Sequence, residues 1–195
     1  MLEVILTLLA FLIPAAKKLL DSHLRKQHEK IIETNAELYR ILREFRVNLD
    51  AQRVVTIKSE NGGGVPDIGA TCWVSVLHES VQDDFPSVID YRTRMDMEYS
   101  ELLRSLWKNG HEWVVAHTLP EDSTLRGKYE ADGIYASFVF AIATDPKRAT
   151  YYGSANFSEE GYLALMGNPV SRTKKMDYVL DIRNLYEKAG YVRSF

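Results

Sequence analysis

Three of the five histidines and the single cysteine are the first residues of this sequence to consider for chemistry. His78 precedes Glu79, and His111 and His117 lie six positions apart on a later segment. Imidazole and carboxylate are common zinc ligands. Neither an HExxH spacing nor a CxxC pair accompanies them, however, and adjacent strand positions face opposite sides. The pattern favours structural histidines over a metal site, and it identifies no cofactor.

Nucleophilic and phosphate-binding chemistry are equally poorly supported. Cys72, the only cysteine, begins an apolar segment, which favours a buried thiol over a reactive one. Residues 62–64 are three glycines after a predicted strand, as in phosphate loops, but no Lys-Ser/Thr pair and no helix follow directly. We therefore predict no catalytic residues and a protein that is not an enzyme.

The overall composition indicates a folded protein with no general attraction for polyanions. Of 195 residues, 46% are apolar and 26% are charged, which is typical of globular domains. The net charge of -3 supplies no field that would gather nucleic acid, so no nucleic-acid partner is expected. A single cysteine excludes an intrachain disulfide and favours a reducing compartment.

The N-terminal segment, residues 2–16, is a nearly continuous apolar run that contains only one charge, Glu3. As a helix it spans roughly 22 Å, which is short of the ~30 Å hydrocarbon layer unless residues 17–20 extend it. Three interpretations compete: a signal peptide, a segment buried in a protein core and a membrane anchor. The basic residues follow the run rather than precede it, which disfavours the signal peptide.

We take the membrane anchor, over residues 1–20, as the leading interpretation. It makes the lipid bilayer a partner through residues 2–20. Lys17, Lys18 and Arg25 follow the apolar run, so the rule that positive charge stays inside predicts a single-pass protein with a cytoplasmic C-terminal domain.

Residues 17–47 contain no glycine or proline and are rich in strong helix formers, which predicts one long helix. We assign residues 21–47 to a helical stalk. A heptad seam runs along it through Leu20, Leu24, Gln27, Ile31, Thr34, Leu38, Ile41 and Phe45. Such a seam favours a coiled coil and a dimer or larger homo-oligomer. The alternative is packing of the helix on its own domain, which the wider apolar stripe near Ile41, Leu42 and Phe45 favours for the last two turns.

Residues 48–195 read as one α+β domain. Strands are expected at 52–58, 72–78, 112–118, 133–144 and 148–157, and helices at 94–108 and 174–189 with a short helical turn near residue 125. Ser171 and Thr173 are candidate caps of the last helix. This order predicts an antiparallel sheet with helices on one side.

Two stretches, NLDAQRVVTIKSENGG and GIYASFVFAIATDPKRATYYGSANFSEE, resemble a GAF-type domain, a small-molecule-binding and dimerising sensor module. The likeness covers about residues 36–190. It is similar to phage- and prophage-borne, membrane-anchored versions, whose first strand begins Asp-Arg and ends His-Asn-Gly. Here Ala51-Gln52-Arg53 and Glu60-Asn61-Gly62 stand at those places, so the Asp and the His are replaced.

The resemblance implies a ligand at the ends of the first two strands and at the connection before the third. The candidate ligand-binding residues on that basis are Ser59, Asn61, Trp73, Tyr99 and Trp113. We therefore expect a membrane-anchored, non-enzymatic sensory or accessory domain that self-associates through its stalk, with an unidentified protein partner left open. The alternative is a structural virion or envelope scaffold without a ligand.

Overall fold

A computed structural model describes residues 2–60, 73–94, 97–145 and 149–191 of the chain. The contacts divide the chain into two compact units, residues 1–37 and residues 38–195. The domain boundaries expected at residues 20 and 47 stay predictions. The second unit contains the sheet and every site discussed below.

The first helix, α1, spans Leu2–Asn48. It includes the whole helix predicted over residues 17–47, as expected for a segment rich in strong helix formers. Three members of the heptad seam, Leu20, Leu24 and Ile31, are exposed. Three later members, Leu38, Ile41 and Phe45, are buried in the core of the second unit. Self-association through the seam stays a prediction.

The predicted membrane anchor over residues 2–20 is wrong. In the part of the chain that the structure describes, no helix has the length and apolar character that crossing a bilayer requires. The apolar run ends after residue 16, and extending it adds the charges of Lys17 and Lys18. The bilayer as a partner, the single-pass membrane localisation and the cytoplasmic orientation all depended on that anchor and are corrected with it.

Among the residues that the structure describes, six antiparallel strands form one sheet; numbered along the chain, their spatial order is β3-β2-β1-β6-β5-β4. The α+β fold with an antiparallel sheet is therefore confirmed. The strands are β1 Arg53–Glu60, β2 Trp73–Val81, β3 Arg92–Arg94, β4 His111–Val115, β5 Ala136–Asp145 and β6 Ala149–Phe157. The strand predicted at 112–118 is shorter because a 3₁₀ turn, Ala116–Thr118, ends it.

Within the described ranges 97–145 and 149–191, four further α-helices follow α1: α2 Met97–Asn109, α3 Thr124–Ala131, α4 Glu159–Gly167 and α5 Pro169–Lys188. The last of these begins five residues earlier than predicted, and its cap is neither Ser171 nor Thr173. Asn168 is the cap, because its Oδ1 accepts hydrogen bonds from the N–H groups of Val170 and Ser171 at 3.0 and 3.3 Å. Pro169 fits the first helical position, where no N–H is needed.

One face of the sheet packs against the last turns of α1 and against α5. Leu42 and Phe45 are fully buried there, as the widened apolar stripe predicts. The Phe45 ring stacks on Phe140 of β5 and on Tyr178 of α5, with centroids 6.0 and 5.2 Å apart. Burial of these rings packs the last turns of α1, from residue 38 onward, against the sheet.

The opposite face carries a second apolar cluster formed with α2 and α3. Its sheet members are Val74, Val114, Val139, Ala141 and Tyr152, and the helices contribute Leu103, Leu106, Leu125 and Tyr129. This second layer does not fill all the space above the sheet. The remaining volume is the candidate site.

Candidate ligand-binding cavity

A cavity of about 260 Å³ lies between the second face of the sheet and the helices α2 and α3. We call it the sheet–helix cavity. Its wall is formed by Arg53, Val55, Ile57, Val74, Val76, Val88, Tyr91, Tyr99, Leu102, Leu125, Lys128, Tyr129, Ala131, Asp132, Ile134, Val139, Tyr152, Ser154 and Asn156. The wall is largely apolar and includes a few polar groups, which is the usual make-up of a small-molecule site.

Strand alternation places the sheet residues in the wall. Arg53, Val55 and Ile57 occupy every second position of β1 and therefore share one face. In the register with β6 they lie opposite Asn156, Ser154 and Tyr152 respectively. Directly opposed residues project from the same face of an antiparallel pair. The floor of the cavity thus combines three residues from each of two central strands.

Arg53 organises the polar side of the cavity. It is 5% exposed, and its guanidinium donates to Asn156 Oδ1 at 3.0 Å, to the Pro86 carbonyl at 3.1 Å and to Asp132 Oδ2 at 3.2 Å. The same guanidinium lies 5.1 Å from the ring centroid of Phe85. Several hydrogen bonds to a buried guanidinium hold it in one orientation. The negative charge of the Asp132 carboxylate balances the positive charge of Arg53.

Asn156 extends this polar cluster across the strands. Its Nδ2 donates to Ser137 Oγ and, at 3.2 Å, to Ser154 Oγ. Ser137 in turn hydrogen-bonds the hydroxyl of Tyr129. Burial raises the pKa of Tyr129 to about 12, although Ser137 and Arg53 oppose the shift. Tyr129 is therefore a neutral phenol at physiological pH and can donate its proton in a hydrogen bond.

Two tyrosine hydroxyls of the cavity have no hydrogen-bond partner among the described residues. They belong to Tyr152, which is 1% exposed, and to Tyr91. Burial raises the pKa of Tyr152 well above its ordinary value, and the nearby tyrosines Tyr99, Tyr129 and Tyr91 add to the shift. A buried hydroxyl without a partner costs about 1–3 kcal/mol. Each hydroxyl is therefore a hydrogen-bond donor that the described residues leave unused.

Lys128 supplies a second cation to the wall. Its Nζ lies 5.5 Å from the ring centroid of Tyr91 and 5.4 Å from that of Tyr99, within the range of a cation–π contact. Within the described ranges, no carboxylate lies in ion-pair distance of this ammonium group. With Arg53 matched by Asp132, the described wall carries one net positive charge.

The chemistry that this arrangement supports is recognition. The polar groups of the described wall are phenols, an amide, a serine hydroxyl, one ion pair and one ammonium group. These groups donate and accept hydrogen bonds and hold charge. The wall includes no described histidine or cysteine, and the phenol of Tyr152 is held protonated by burial. The cavity is suited to holding a molecule in one orientation.

The structure places the predicted site residues in different surroundings. Tyr99 lies in the cavity wall. Ser59 is fully buried further along β1, and its hydroxyl has no partner among the described residues. Trp73 pairs with Glu60, so strand alternation puts it on the face away from the cavity. Asn61 lies outside the described residues, as do Cys72 and residues 62–64.

Trp113 packs on the other face of the sheet, in register with Phe138. Its ring contacts Phe138, Phe157 and Tyr162 with centroids 5.2, 5.7 and 5.1 Å apart. The ammonium group of Lys175 lies 4.7 Å from the Trp113 ring and 3.9 Å from the Phe138 ring. The Trp113 ring thus contacts a lysine of its own domain, on the face of the sheet away from the cavity.

This lysine predicts a pH-dependent stability. Burial lowers the pKa of Lys175 to about 8 from an ordinary 10.5, and Arg172 adds to the shift. Between these two values the unfolded chain binds more protons than the folded one, so the free energy of unfolding rises with pH. We expect a rise of about 1 kcal/mol between pH 8 and 10, since solvent screening reduces the full effect.

The measurement is urea unfolding at several pH values for the wild type, Lys175→Met and, as a matched control, Lys174→Met. Lys174 is exposed. The rise should disappear in Lys175→Met and persist in Lys174→Met. Parallel stability curves for the wild type and Lys175→Met would refute this role of Lys175.

The histidines are separated and lie in structural contacts. His78 Nδ1 and Thr56 Oγ1 are 2.7 Å apart, and burial lowers the pKa of His78. His111 packs on Phe138, and burial followed by the charges of Lys175 and Arg183 lowers its pKa. His117 packs on Tyr135. Over the described residues, no group of three or more histidine, cysteine, aspartate or glutamate side chains is arranged to hold a metal.

The residues that build the polar side of the cavity were not predicted from the sequence. Arg53 and Asn156 are 103 positions apart and meet only through the β1–β6 register. One local signal existed: Ser154 and Asn156 are polar residues at alternate positions of a strand. Polar residues on a face that the neighbouring strand fills with valine and isoleucine mark a site rather than solvent.

Comparison with known proteins places the fold. No family model and no curated protein matches the sequence. Among solved structures, a far-red cyanobacteriochrome photoreceptor superposes with a TM-score of 0.53 at 12% identity, covering 87% of this chain and 96% of that chain. The PixJ GAF domain of Thermosynechococcus elongatus, in its blue-light-absorbing form, gives 0.53 at 10% identity, covering 82% and 90%.

Similarity at this level of identity concerns the fold. The GAF-like fold that the two sequence stretches predicted is confirmed. The likeness to phage- and prophage-borne versions stays a prediction.

Proposed function

We propose that residues 38–195 form a non-enzymatic sensory or accessory domain that binds a small molecule in the sheet–helix cavity. The domain would hold its ligand by the polar groups of β1, β6 and α3 and by the apolar residues around them. The domain shares its GAF-like fold with light-sensing proteins. That likeness supports a sensory role, because those proteins use the fold to detect a signal.

One observation carries the proposal: the wall of a cavity of about 260 Å³ includes Tyr152, whose buried hydroxyl has no partner among the described residues. Protein interiors are close-packed, and their buried polar groups are nearly always hydrogen-bonded. In a protein that is only a structural scaffold, a void and an unpartnered donor would both lower stability without any gain in function. A ligand would fill the void, and it would satisfy the donor once a side-chain shift opens the Tyr152 hydroxyl to the cavity.

The experiment is extraction of small molecules from the purified full-length chain, followed by mass spectrometry, for the wild type and for Val139→Phe. Val139 is 2% exposed and lines the cavity, so a phenyl ring at this position occupies part of the ligand volume. We expect a molecule in the wild-type extract at close to one equivalent, and a loss of at least about tenfold in the variant.

Val170→Phe is the matched control, since Val170 is 74% exposed on α5 and away from the wall. Its extract should equal that of the wild type. If Val139→Phe fails to fold, Val76→Phe at the same wall replaces it. A wild-type extract without any retained molecule would contradict the proposal and favour the structural scaffold.

A further inference from the structure

We propose that the ligand of the sheet–helix cavity is a small aromatic acid, with its acidic group bound by Lys128 and the unpartnered tyrosine hydroxyls. This inference rests on the proposed function and adds the chemical class of the ligand. Three features carry it: the charge of the wall, the unpartnered tyrosine hydroxyls, and the apolar lining and size of the cavity.

The charge of the wall selects an anion. Arg53 already donates to Asp132, Asn156 and the Pro86 carbonyl, so its charge and most of its donors are used. Lys128 keeps a positive charge that no described carboxylate neutralises. An ammonium group held over two ring faces keeps hydrogen-bond donors that the rings do not fully satisfy. A carboxylate or phenolate of the ligand would accept hydrogen bonds from this ammonium group and neutralise its charge.

The unpartnered tyrosine hydroxyls also favour an acidic group on the ligand. Those of Tyr91 and Tyr152 are buried and without a described partner. A neutral phenol donates one hydrogen bond, and a bond to an ionised acceptor is about twice as strong as one to a neutral acceptor. Lys128 already contacts the ring of Tyr91. One acidic group near Tyr91 would therefore meet both a cation and a phenol.

The remainder of the wall selects a flat apolar body. The sheet contributes a surface of valine and isoleucine side chains, and Leu102 and Leu125 face it from the helices. Four tyrosines line the same space: Tyr91, Tyr99, Tyr129 and Tyr152. Aromatic rings pack favourably in edge-to-face and offset arrangements. The volume of about 260 Å³ is slightly below the range of about 300–1,000 Å³ for drug-sized ligands, which favours a single ring.

The test uses three probes on the full-length chain: benzoate, its neutral analogue benzamide, and acetate, which has the acid without the ring. Affinities are measured by calorimetry at pH 7 after any retained molecule has been removed. We expect benzoate to bind about tenfold more tightly than benzamide and more tightly than acetate.

Variants assign the preference to Lys128. Lys128→Met should bind benzoate and benzamide equally, whereas Lys128→Arg should keep the preference because it keeps the charge. Lys108→Met, at an exposed lysine of α2 outside the wall, is the matched control and should match the wild type. If Lys128→Met does not fold, the same comparison with Lys128→Gln replaces it.

The outcomes separate the two proposals. Benzamide binding as tightly as benzoate, an unchanged preference in Lys128→Met, or no binding of any aromatic probe would overturn the aromatic acid as the ligand. None of these results changes the extraction experiment, in which a retained molecule of another class would still support the proposed function. An empty wild-type extract would contradict the proposed function itself.

Discussion

Replacing Gly153 with alanine is expected to lower the free energy of unfolding by about 3 kcal/mol. A Cβ atom at this position of β6 would lie 2.2 Å from Cζ of Phe140 and 2.4 Å from its Cε2. The Phe140 ring is fully buried and is stacked between Phe45 and Phe138, so it has no free space into which to move. Urea unfolding of the full-length chain measures the loss.

Two further variants show that the loss comes from this contact. Phe140→Leu in the Gly153→Ala background should recover part of the stability, because the shorter side chain leaves room for the new methyl group. Gly127→Ala is the matched control: Gly127 lies in α3, and a Cβ there meets nothing within 4 Å. We expect this control to gain about 0.5–1 kcal/mol. A Gly153→Ala protein as stable as the wild type would disprove the close approach.

The second large effect is expected for Arg53→Met, which should destabilise the protein by about 3 kcal/mol. The change removes three hydrogen bonds and leaves Asn156 and Asp132 without the guanidinium. Breaking a buried ion pair usually costs about 3–5 kcal/mol. We place the loss at the lower end because the Asp132 side chain is 33% exposed and keeps some hydration.

The comparison variants are Arg53→Met with Asp132→Asn, and Arg25→Met. The double variant should be more stable than Arg53→Met alone, because it no longer contains an unpaired carboxylate. Arg25 forms an ion pair with Glu29 on an exposed surface of α1, so its loss should cost no more than about 0.5 kcal/mol. Equal losses for Arg53→Met and Arg25→Met would show that the buried cluster contributes nothing special.

The regular elements of the fold followed from local sequence patterns. The long helix, most strands and the β5–β6 hairpin have strong local periodicity or β-branched composition, and their bounds were predicted to within a few residues. Two elements escaped. The strand β3 is only Arg92–Arg94, an edge strand without an apolar residue. The helix α4 is short and ends at Gly167, and only Asn168 separates it from α5, so its pattern merged with the start of α5.

The site was harder to predict because it depends on faces and register. Tyr99, in the helix α2, was predicted as a site residue and lies in the cavity wall. Trp113 lies in the strand β4, and its residue type alone does not indicate which face of the sheet it occupies. Trp113 was therefore predicted as a ligand-binding residue, although its ring packs against Lys175 on the face of the sheet away from the cavity. The pairing of Arg53 with Asn156 comes from strand order, which no local pattern contains. The membrane anchor was predicted wrongly because the prediction gave more weight to the apolar composition of residues 2–16 than to their length, which is too short to cross a bilayer.

The most direct test of the account is a crystal structure of the full-length chain, as purified and with no ligand added. We predict electron density for a non-protein group inside the sheet–helix cavity, within hydrogen-bond distance of the Tyr152 hydroxyl. A cavity filled by the protein's own side chains, with a protein group bonded to that hydroxyl, would contradict it.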